Sequence, residues 1–131
     1  GGEGNLEAFP LTIQKIIDTY LEGWKLGDGE LSLSVTVDSF YYDDPNRGRI
    51  QRHELVQFVE DFKRAAVELG AKKKANPFLI YSDVVTDYNT SPVTVWCWWQ
   101  VNGTDFQGCA LVKVGETGVL QEKIAYFSKL P

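Results

Sequence analysis

Residues 93–114 read VTVWCWWQVNGTDFQGCALVKV, with runs rich in β-branched and aromatic residues on either side of Asn102-Gly103. An Asn-Gly pair between two such runs is a strong short-range signal for a β-hairpin. If these two residues form the whole loop, Trp99 is predicted to lie opposite Phe106 and Cys97 opposite Gly108. This hairpin is the predicted centre of the sheet.

The same hairpin determines on which face of the sheet each tryptophan and cysteine lies, because successive side chains of a strand point to opposite faces. Trp99 and Cys97 are predicted on one face, and Trp96, Trp98 and Cys109 on the other. The two thiols are therefore expected to stay unbonded within one chain. Two tryptophans on the second face favour a homodimer that covers it. The alternative is that this face belongs to the core and Trp99 lies at the rim.

The rest of the chain divides into helical and extended patterns. Apolar residues recur at three- and four-residue steps from Pro10 to Gly27 and from Leu55 to Gly70, which predicts two helices. Alternating or strand-forming runs predict strands over Leu31–Asp38, Phe40–Asp43, Phe78–Tyr88 and Val119–Ser128. Helices followed by strands with short turns predict an α+β domain, with helices on one face of an antiparallel sheet.

Length and charge limit the function. The chain has 131 residues and a net charge of −5, so we expect one domain over 8–131 that binds neither nucleic acid nor an anionic membrane surface. Residues 1–7 are expected to be disordered or left over from processing or expression. Two cysteines and one histidine predict no metal site. The sequence contains no apolar run of the ~20 residues that a membrane span needs, and we expect a cytoplasmic protein.

Residues 41–45, YYDDP, end the predicted second strand. Alternation directs Asp44 inward with Phe40 and Tyr42, and Asp43 towards solvent. Asp44 has two interpretations at this point. It accepts a backbone N–H and caps the turn at Pro45, as aspartate often does, or it is an acid or base in an apolar pocket.

The order of elements resembles the nuclear transport factor 2-like superfamily, the fold shared with SnoaL-like polyketide cyclases and ketosteroid isomerases. The resemblance covers roughly residues 8 to 128 and rests on a helix with Tyr20, a strand ending in Asp43-Asp44-Pro45, a second helix, and a sheet closing on Gly118–Phe127. It implies a cone-shaped, curved, mainly antiparallel sheet packed on two to three helices. It also implies a homodimer and a pocket between the helices and the concave face.

The resemblance to ketosteroid isomerases implies roles for individual residues. Asp44 takes the position of the general base and Tyr20 that of the oxyanion donor, in a cofactor-free reaction on a carbonyl compound. The second oxyanion donor of that family falls on Ala110, and the last-strand acid of the related limonene epoxide hydrolases falls on Ala125. These two alanines favour the alternative of a non-catalytic ligand-binding module. A protein-interaction domain is the third possibility.

The expected ligand is a small hydrophobic molecule, because aromatic residues dominate the predicted pocket. The expected lining residues are Trp24, Phe40, Tyr42, Phe58, Phe62, Trp99, Phe106, Ala110, Lys123, Ala125 and Phe127. Lys123 shares the alternation of Ala125 and Phe127. If it points inward it would pair with Asp44 and make it a weaker base.

Overall fold

The computed structural model describes residues 2–127, with side chains from residue 12 onward. Its helices are α1 (Gly2–Leu26), α2 (Gly29–Leu33) and α3 (Leu55–Glu68), the last preceded by a short 3₁₀ turn at Arg52–Glu54. Its strands are β1 (Thr36–Asp44), β2 (Gly48–Gln51), β3 (Leu79–Asp87), β4 (Val93–Val101), β5 (Gln107–Gly115) and β6 (Gly118–Tyr126). No helix among the described residues is long and apolar enough to cross a membrane.

The strands form one curved sheet in the order β2-β1-β6-β5-β4-β3. Four of the neighbouring pairs are antiparallel, whereas β1 and β6 run parallel. The sheet is therefore mixed but mainly antiparallel, and the predicted α+β architecture is confirmed. The parallel pair joins the N-terminal part of the chain to its last strand.

An aromatic cluster fills the space between the helices and the concave face of the sheet. Trp24 of α1 stacks on Tyr42 of β1 with ring centroids 5.4 Å apart. Phe58 and Phe62 of α3 pack edge-on against the same indole, at 6.2 and 5.7 Å.

As predicted, both long helices end at glycine, since Gly27 and Gly70 have φ of +69° and +110°.

The first half of the predicted strand Leu31–Asp38 is wrong, because residues 29–33 form the short helix α2. The Asp28 side chain caps it by accepting from the backbone N–H of Leu31 at 3.2 Å. The serines of the alternating run bond to backbone carbonyls, Ser32 to Tyr20 at 2.8 Å and Ser34 to Leu31 at 2.6 Å. Their hydroxyls thus serve the helix and its anchoring to α1.

The predicted two-residue hairpin loop is also wrong. Trp99 lies opposite Gly108, and the backbone N–H of Val101 donates to the carbonyl of Phe106 at 2.8 Å, so the loop has four residues, 102–105. Asn102 is held elsewhere, since its side chain donates to the carbonyl of Pro77 at 2.8 Å. Thr104 stabilises the longer loop by accepting from the N–H of Phe106 at 3.0 Å.

With the longer loop, each residue of β4 lies opposite a residue of β5 two positions further along than predicted. Because the shift is an even number of residues, every side chain stays on its predicted face of the sheet. Cys97 is buried on the concave side and Cys109 lies on the outer side, and both thiols are free. Trp99 is buried in the core, whereas Trp96 is 51% exposed on the outer face and Trp98 is partly exposed there. The prediction that these tryptophans lie on opposite faces is confirmed.

The predicted orientation of β6 is wrong. Lys123, Ala125 and Phe127 were expected inside the pocket, but all three are exposed on the outer side. The alternate residues of the strand, Glu122 and Ile124, are buried instead. Lys123 therefore does not meet Asp44. It lies beside Asp43 in the parallel pairing with β1.

Candidate functional site

The first candidate site is a cavity of about 380 Å³ between α3 and the ends of β1, β5 and β6, called here the outer cavity. Its volume is in the range of small-molecule sites. Aromatic rings form much of its wall, and polar groups collect at one end. The lining residues are Asp44, Asn46, Arg47, Phe58, Asp61, Phe62, Ala65, Leu69, Phe106 and Tyr126.

Asp44 is 4% exposed and accepts three hydrogen bonds. Its Oδ1 atom accepts from the backbone N–H groups of Asn46 and Arg47 at 2.7 and 2.8 Å. Its Oδ2 atom accepts from the hydroxyl of Tyr126. Oδ1 therefore caps the turn, as the first interpretation predicted, and the side chain also lines the cavity. Its role as an acid or base stays a prediction.

Tyr126 is the tyrosine that shares the outer cavity with Asp44. Burial raises its pKa, and the hydrogen bond to Asp44 and the charge of that carboxylate raise it further. Tyr126 is thus a neutral phenol at physiological pH, suited to donate a hydrogen bond.

The mouth of the outer cavity carries an ion pair. Arg47 lies 3.4 Å from the carboxylate of Asp61 and places its guanidinium 5.6 Å above the ring of Phe58. The pKa of Asp61 is lowered, first by a hydrogen bond from Gln57 and then by nearby arginines. This end of the cavity is charged and partly exposed to solvent, whereas the wall behind it is apolar.

A second pair of acid and tyrosine lies deeper. The hydroxyl of Tyr20 donates to Oε1 of Glu122 at 2.5 Å, with both residues buried. Burial raises the pKa of Glu122 to about 8, although the Tyr20 hydrogen bond acts in the opposite direction. The Glu122 carboxyl is therefore mostly neutral near pH 7. The neighbouring phenols Tyr42 and Tyr81 also have raised pKa values, first because of burial and then because of Glu122.

Glu122 borders a small space of about 10 Å³, called here the inner cavity, which is about the size of one water molecule. Trp24 and Trp99 border it too, and the indole N–H of each is buried without an acceptor among the described residues. Trp24 lies near enough to the Tyr20 hydroxyl to lower its pKa, without the geometry of a hydrogen bond. Phe62 is the one described residue that lines both cavities.

The predicted site residues are thus distributed over several places. Trp24, Tyr42, Phe62 and Trp99 line the inner cavity, and Asp44, Phe58, Phe62 and Phe106 line the outer one. Phe40 and Ala110 are buried in the core. Tyr20 is buried beside Glu122 and does not line the outer cavity of Asp44.

Glu122 and Tyr126 were missed by the sequence reasoning. Both belong to the alternation of β6 that includes Ile124, whereas the expected lining residues Lys123, Ala125 and Phe127 belong to the other. Ile124 gave a signal for the observed orientation, since an isoleucine favours the inner face of a strand more than the neighbouring Lys123 does. No group of three or more histidine, cysteine, aspartate or glutamate side chains could hold a metal within residues 2–127.

Comparison with known proteins identifies the fold. No protein-family model and no curated sequence match the chain. Among solved structures, a SnoaL-like protein of unknown function from Burkholderia thailandensis superposes with a TM-score of 0.62 at 13% identity, over 90% of this chain and 96% of its own.

Two further structures have candidate activities. A candidate polyketide cyclase from Xanthomonas campestris pv. campestris gives a TM-score of 0.62 at 13% identity, over 89% of this chain and 91% of its own. A candidate ketosteroid isomerase from Kribbella flavida gives 0.59 at 13% identity, over 92% and 81%. At such identities the likeness concerns the fold alone. The chain has the nuclear transport factor 2-like, or cystatin-like, fold that its order of elements predicted.

Proposed function

We propose that this chain binds a small hydrophobic carbonyl compound in the outer cavity, and that Asp44 acts on it as a general base without a cofactor. The observation that carries the proposal is the placement of Asp44, a carboxylate 4% exposed at the polar end of an aromatic-walled cavity. Isomerase or cyclase chemistry suits the fold, since its relatives in structure include a candidate polyketide cyclase and a candidate ketosteroid isomerase.

The hydrogen bonds of Asp44 indicate which oxygen is the base. Oδ1 already accepts from two backbone N–H groups, whereas Oδ2 accepts only from Tyr126. Oδ2 therefore keeps a lone pair for a proton from carbon next to the ligand carbonyl. As the C–H bond breaks, its electron pair forms the enolate and the proton moves to Oδ2. Return of that proton to another carbon completes an isomerisation.

The enolate oxygen needs a hydrogen-bond donor. Tyr20 has this role by resemblance, but its hydroxyl is buried and already donates to Glu122. In our proposal Tyr20 reaches the ligand only when the ligand oxygen enters the region of Glu122. A ligand confined to the outer cavity would have Tyr126 as its neighbouring phenol.

A non-catalytic ligand-binding module is the second candidate. The three hydrogen bonds of Asp44 favour it, because they give this residue a complete structural role. The proposals differ in one measurable step, removal of a proton from carbon. Exchange of the α-protons of 2-tetralone, a bicyclic ketone, into D₂O can be followed by NMR without knowledge of the natural substrate.

The decisive variant is Asp44→Asn, which keeps an oxygen for the two backbone N–H groups. We expect the protein to accelerate the exchange, and the variant to lose at least a hundredfold of that rate while retaining 2-tetralone binding. The control is Asp43→Asn, since Asp43 lies outside and pairs with Arg49 at 2.9 Å. Equal exchange by both variants would exclude Asp44 as the base. Binding without any exchange would favour the non-catalytic module.

For the assembly, we propose a homodimer through the outer sheet face. Val85 and Trp96 are cross-strand neighbours there, 58% and 51% exposed, and Phe127 packs edge-on against Trp98 at 6.2 Å. These four residues are called here the outer patch. Lys123 lies beside Asp43 at its border, so the border carries both signs of charge and suits a second copy.

The free thiols of the chain accord with a cytoplasmic location, which we also propose.

A further inference from the structure

Two residues that line the inner cavity, Trp24 and Trp99, carry buried indole N–H groups without an acceptor among the described residues. We infer that this cavity is the seat of the ligand oxygen, which accepts hydrogen bonds from the indole N–H groups of Trp24 and Trp99. The inference rests on the proposed function and deepens it, because it divides the ligand into an apolar body in the outer cavity and one accepting oxygen in the inner cavity.

Unpartnered buried donors are rare in proteins and call for an explanation. Here the two residues that carry them, on α1 and β4, both line the inner cavity of about 10 Å³. An indole nitrogen donates and does not accept, so the missing partner is an acceptor. A carbonyl oxygen has two lone pairs and can accept from both indoles at once.

The charge of the surroundings selects among acceptors. The groups that face Glu122 from the packed elements are Tyr20, Tyr42, Tyr81 and Cys97, and no cation among the described side chains is bonded to it. A carboxylate placed here would lose its hydration without gaining a counter-charge. A neutral ketone or aldehyde therefore fits the seat better than an acid or an amine.

Phe62 lines both the outer cavity, where we place the ligand body, and the inner cavity, where we place the ligand oxygen. Its ring stacks on Phe106 of the outer cavity with centroids 5.6 Å apart, and packs edge-on against Trp24 and Trp99 at 5.7 and 5.9 Å. In our inference, rotation of this side chain joins the two cavities when the ligand binds. A ligand in the joined space would have its ring system beside Phe58 and its oxygen at the indoles.

The test uses 2-tetralone and its hydrocarbon counterpart tetralin, observed through the ¹⁵N-labelled indole N–H signals. Trp24→Phe and Trp99→Phe each remove one signal and so assign it. We expect 2-tetralone to move the Trp24 and Trp99 indole protons downfield by several tenths of a ppm, and tetralin to leave them almost unchanged. Trp98 is the internal control, because its indole already donates to Gln107 at 2.9 Å.

Affinity supplies the second measurement. Trp99→Phe should weaken 2-tetralone binding about tenfold and leave tetralin binding within twofold, whereas Trp98→Phe should change neither. If 2-tetralone and tetralin bind equally well and move the Trp24 and Trp99 signals alike, the proposed seat is overturned, because the inner cavity then holds no ligand oxygen. The ligand pocket of the proposed function would still stand. Failure of both compounds to bind would overturn the pocket and the seat together.

Discussion

The hydroxyl of Tyr20 donates to Oε1 of Glu122 at 2.5 Å and joins α1 to β6 across 102 residues of sequence. Both side chains are buried, Glu122 being 3% exposed. Because burial raises the pKa of Glu122 to about 8, this contact is mainly one between two neutral groups at pH 7. The centre of the molecule is polar without being charged.

The first prediction concerns the pH dependence of stability. The folded pKa of Glu122, about 8, lies above its ordinary value of 4.5, so in this interval the unfolded chain releases a proton that the folded chain keeps. The free energy of unfolding should therefore fall as pH rises through this interval, by at most about 1.4 kcal/mol per pH unit from this group. Urea unfolding at several pH values measures the slope.

Glu122→Gln keeps an oxygen for the Tyr20 hydroxyl and removes the titration. It should flatten the fall in stability between pH 4.5 and 8. Glu116→Gln, on an exposed turn, is the control and should leave the slope unchanged. An unaltered slope in Glu122→Gln would mean that Glu122 is ionised in the folded protein. The phenols near Glu122 and the Cys97 thiol, with its pKa of about 12, titrate above this interval.

Removal of the Tyr20 hydroxyl should destabilise the fold. Tyr20→Phe leaves Glu122 without its buried donor, at an expected cost of about 1–3 kcal/mol in the free energy of unfolding at pH 6. It should also raise the pKa of Glu122 further, since the Tyr20 hydrogen bond lowers that value. The matched control is Tyr41→Phe, which removes a partly buried hydroxyl bonded to Gln121 and should cost less. An equal loss of unfolding free energy in Tyr20→Phe and Tyr41→Phe would contradict the expectation that the buried hydroxyl contributes more than the partly buried one.

Two substitutions in the turn after β1 separate the structural role of Asp44 from its proposed chemical role. Asp44→Ala removes the acceptor of two backbone N–H groups and should cost about 1–2 kcal/mol of unfolding free energy. Asp44→Asn keeps that acceptor and should cost clearly less. Thermal and urea unfolding measure both. If the two variants were equally destabilised, the Oδ1 contacts would not be what holds the turn.

Gly108 should be intolerant of a side chain. A Cβ atom there would lie 2.0 Å from the backbone oxygen of Ala125 and 2.7 Å from the Trp99 ring. Gly108→Ala should therefore push β6 or Trp99 aside, at a cost of about 1–3 kcal/mol or more. Gly115→Ala in the same strand is the control, because the corresponding contacts begin at 3.7 Å. Unfolding midpoints measured in urea distinguish the two.

The outer patch gives a prediction about assembly. Trp96→Lys should convert the proposed dimer into a monomer in sedimentation equilibrium, because it places a charge in the middle of the apolar contact. Folding should be preserved, since Trp96 is 51% exposed in the single chain. A protein that is monomeric before the substitution would contradict the proposal. So would a dimer that survives it.

The sequence predicted well those elements in which local and long-range preferences agree. Alternation alone directed Asp44 inward and Asp43 outward, where Asp43 bonds to Arg49. The apolar stripe of α3 was predicted almost to the residue, because its 3.6-residue period has no competitor. The strands β3 and β4 were likewise located within one residue at each end.

The errors arose where a side chain overrides the pattern. In the run of Ser32 and Ser34 the hydroxyls bond to backbone carbonyls, so alternating polarity describes a capped helical turn. In β6 either set of alternate residues gives a plausible inner face, and the choice depends on a partner strand 80 or more residues away. No local rule could decide that Glu122 is buried, because its burial depends on Tyr20 from the first helix.

The parallel pairing of β1 with β6 has a consequence for how the protein is made. Both polar pairs, Tyr20 with Glu122 and Asp44 with Tyr126, require a strand synthesised after all the others described. A nascent chain that ends before Gly118 can form the β1–β2 hairpin and the β3–β5 meander, but nothing in the sheet connects the two. With such distant contacts slowing closure, the outer cavity is completed only after β6 has been translated, and the ligand that we propose for it would assist folding only from that stage onward.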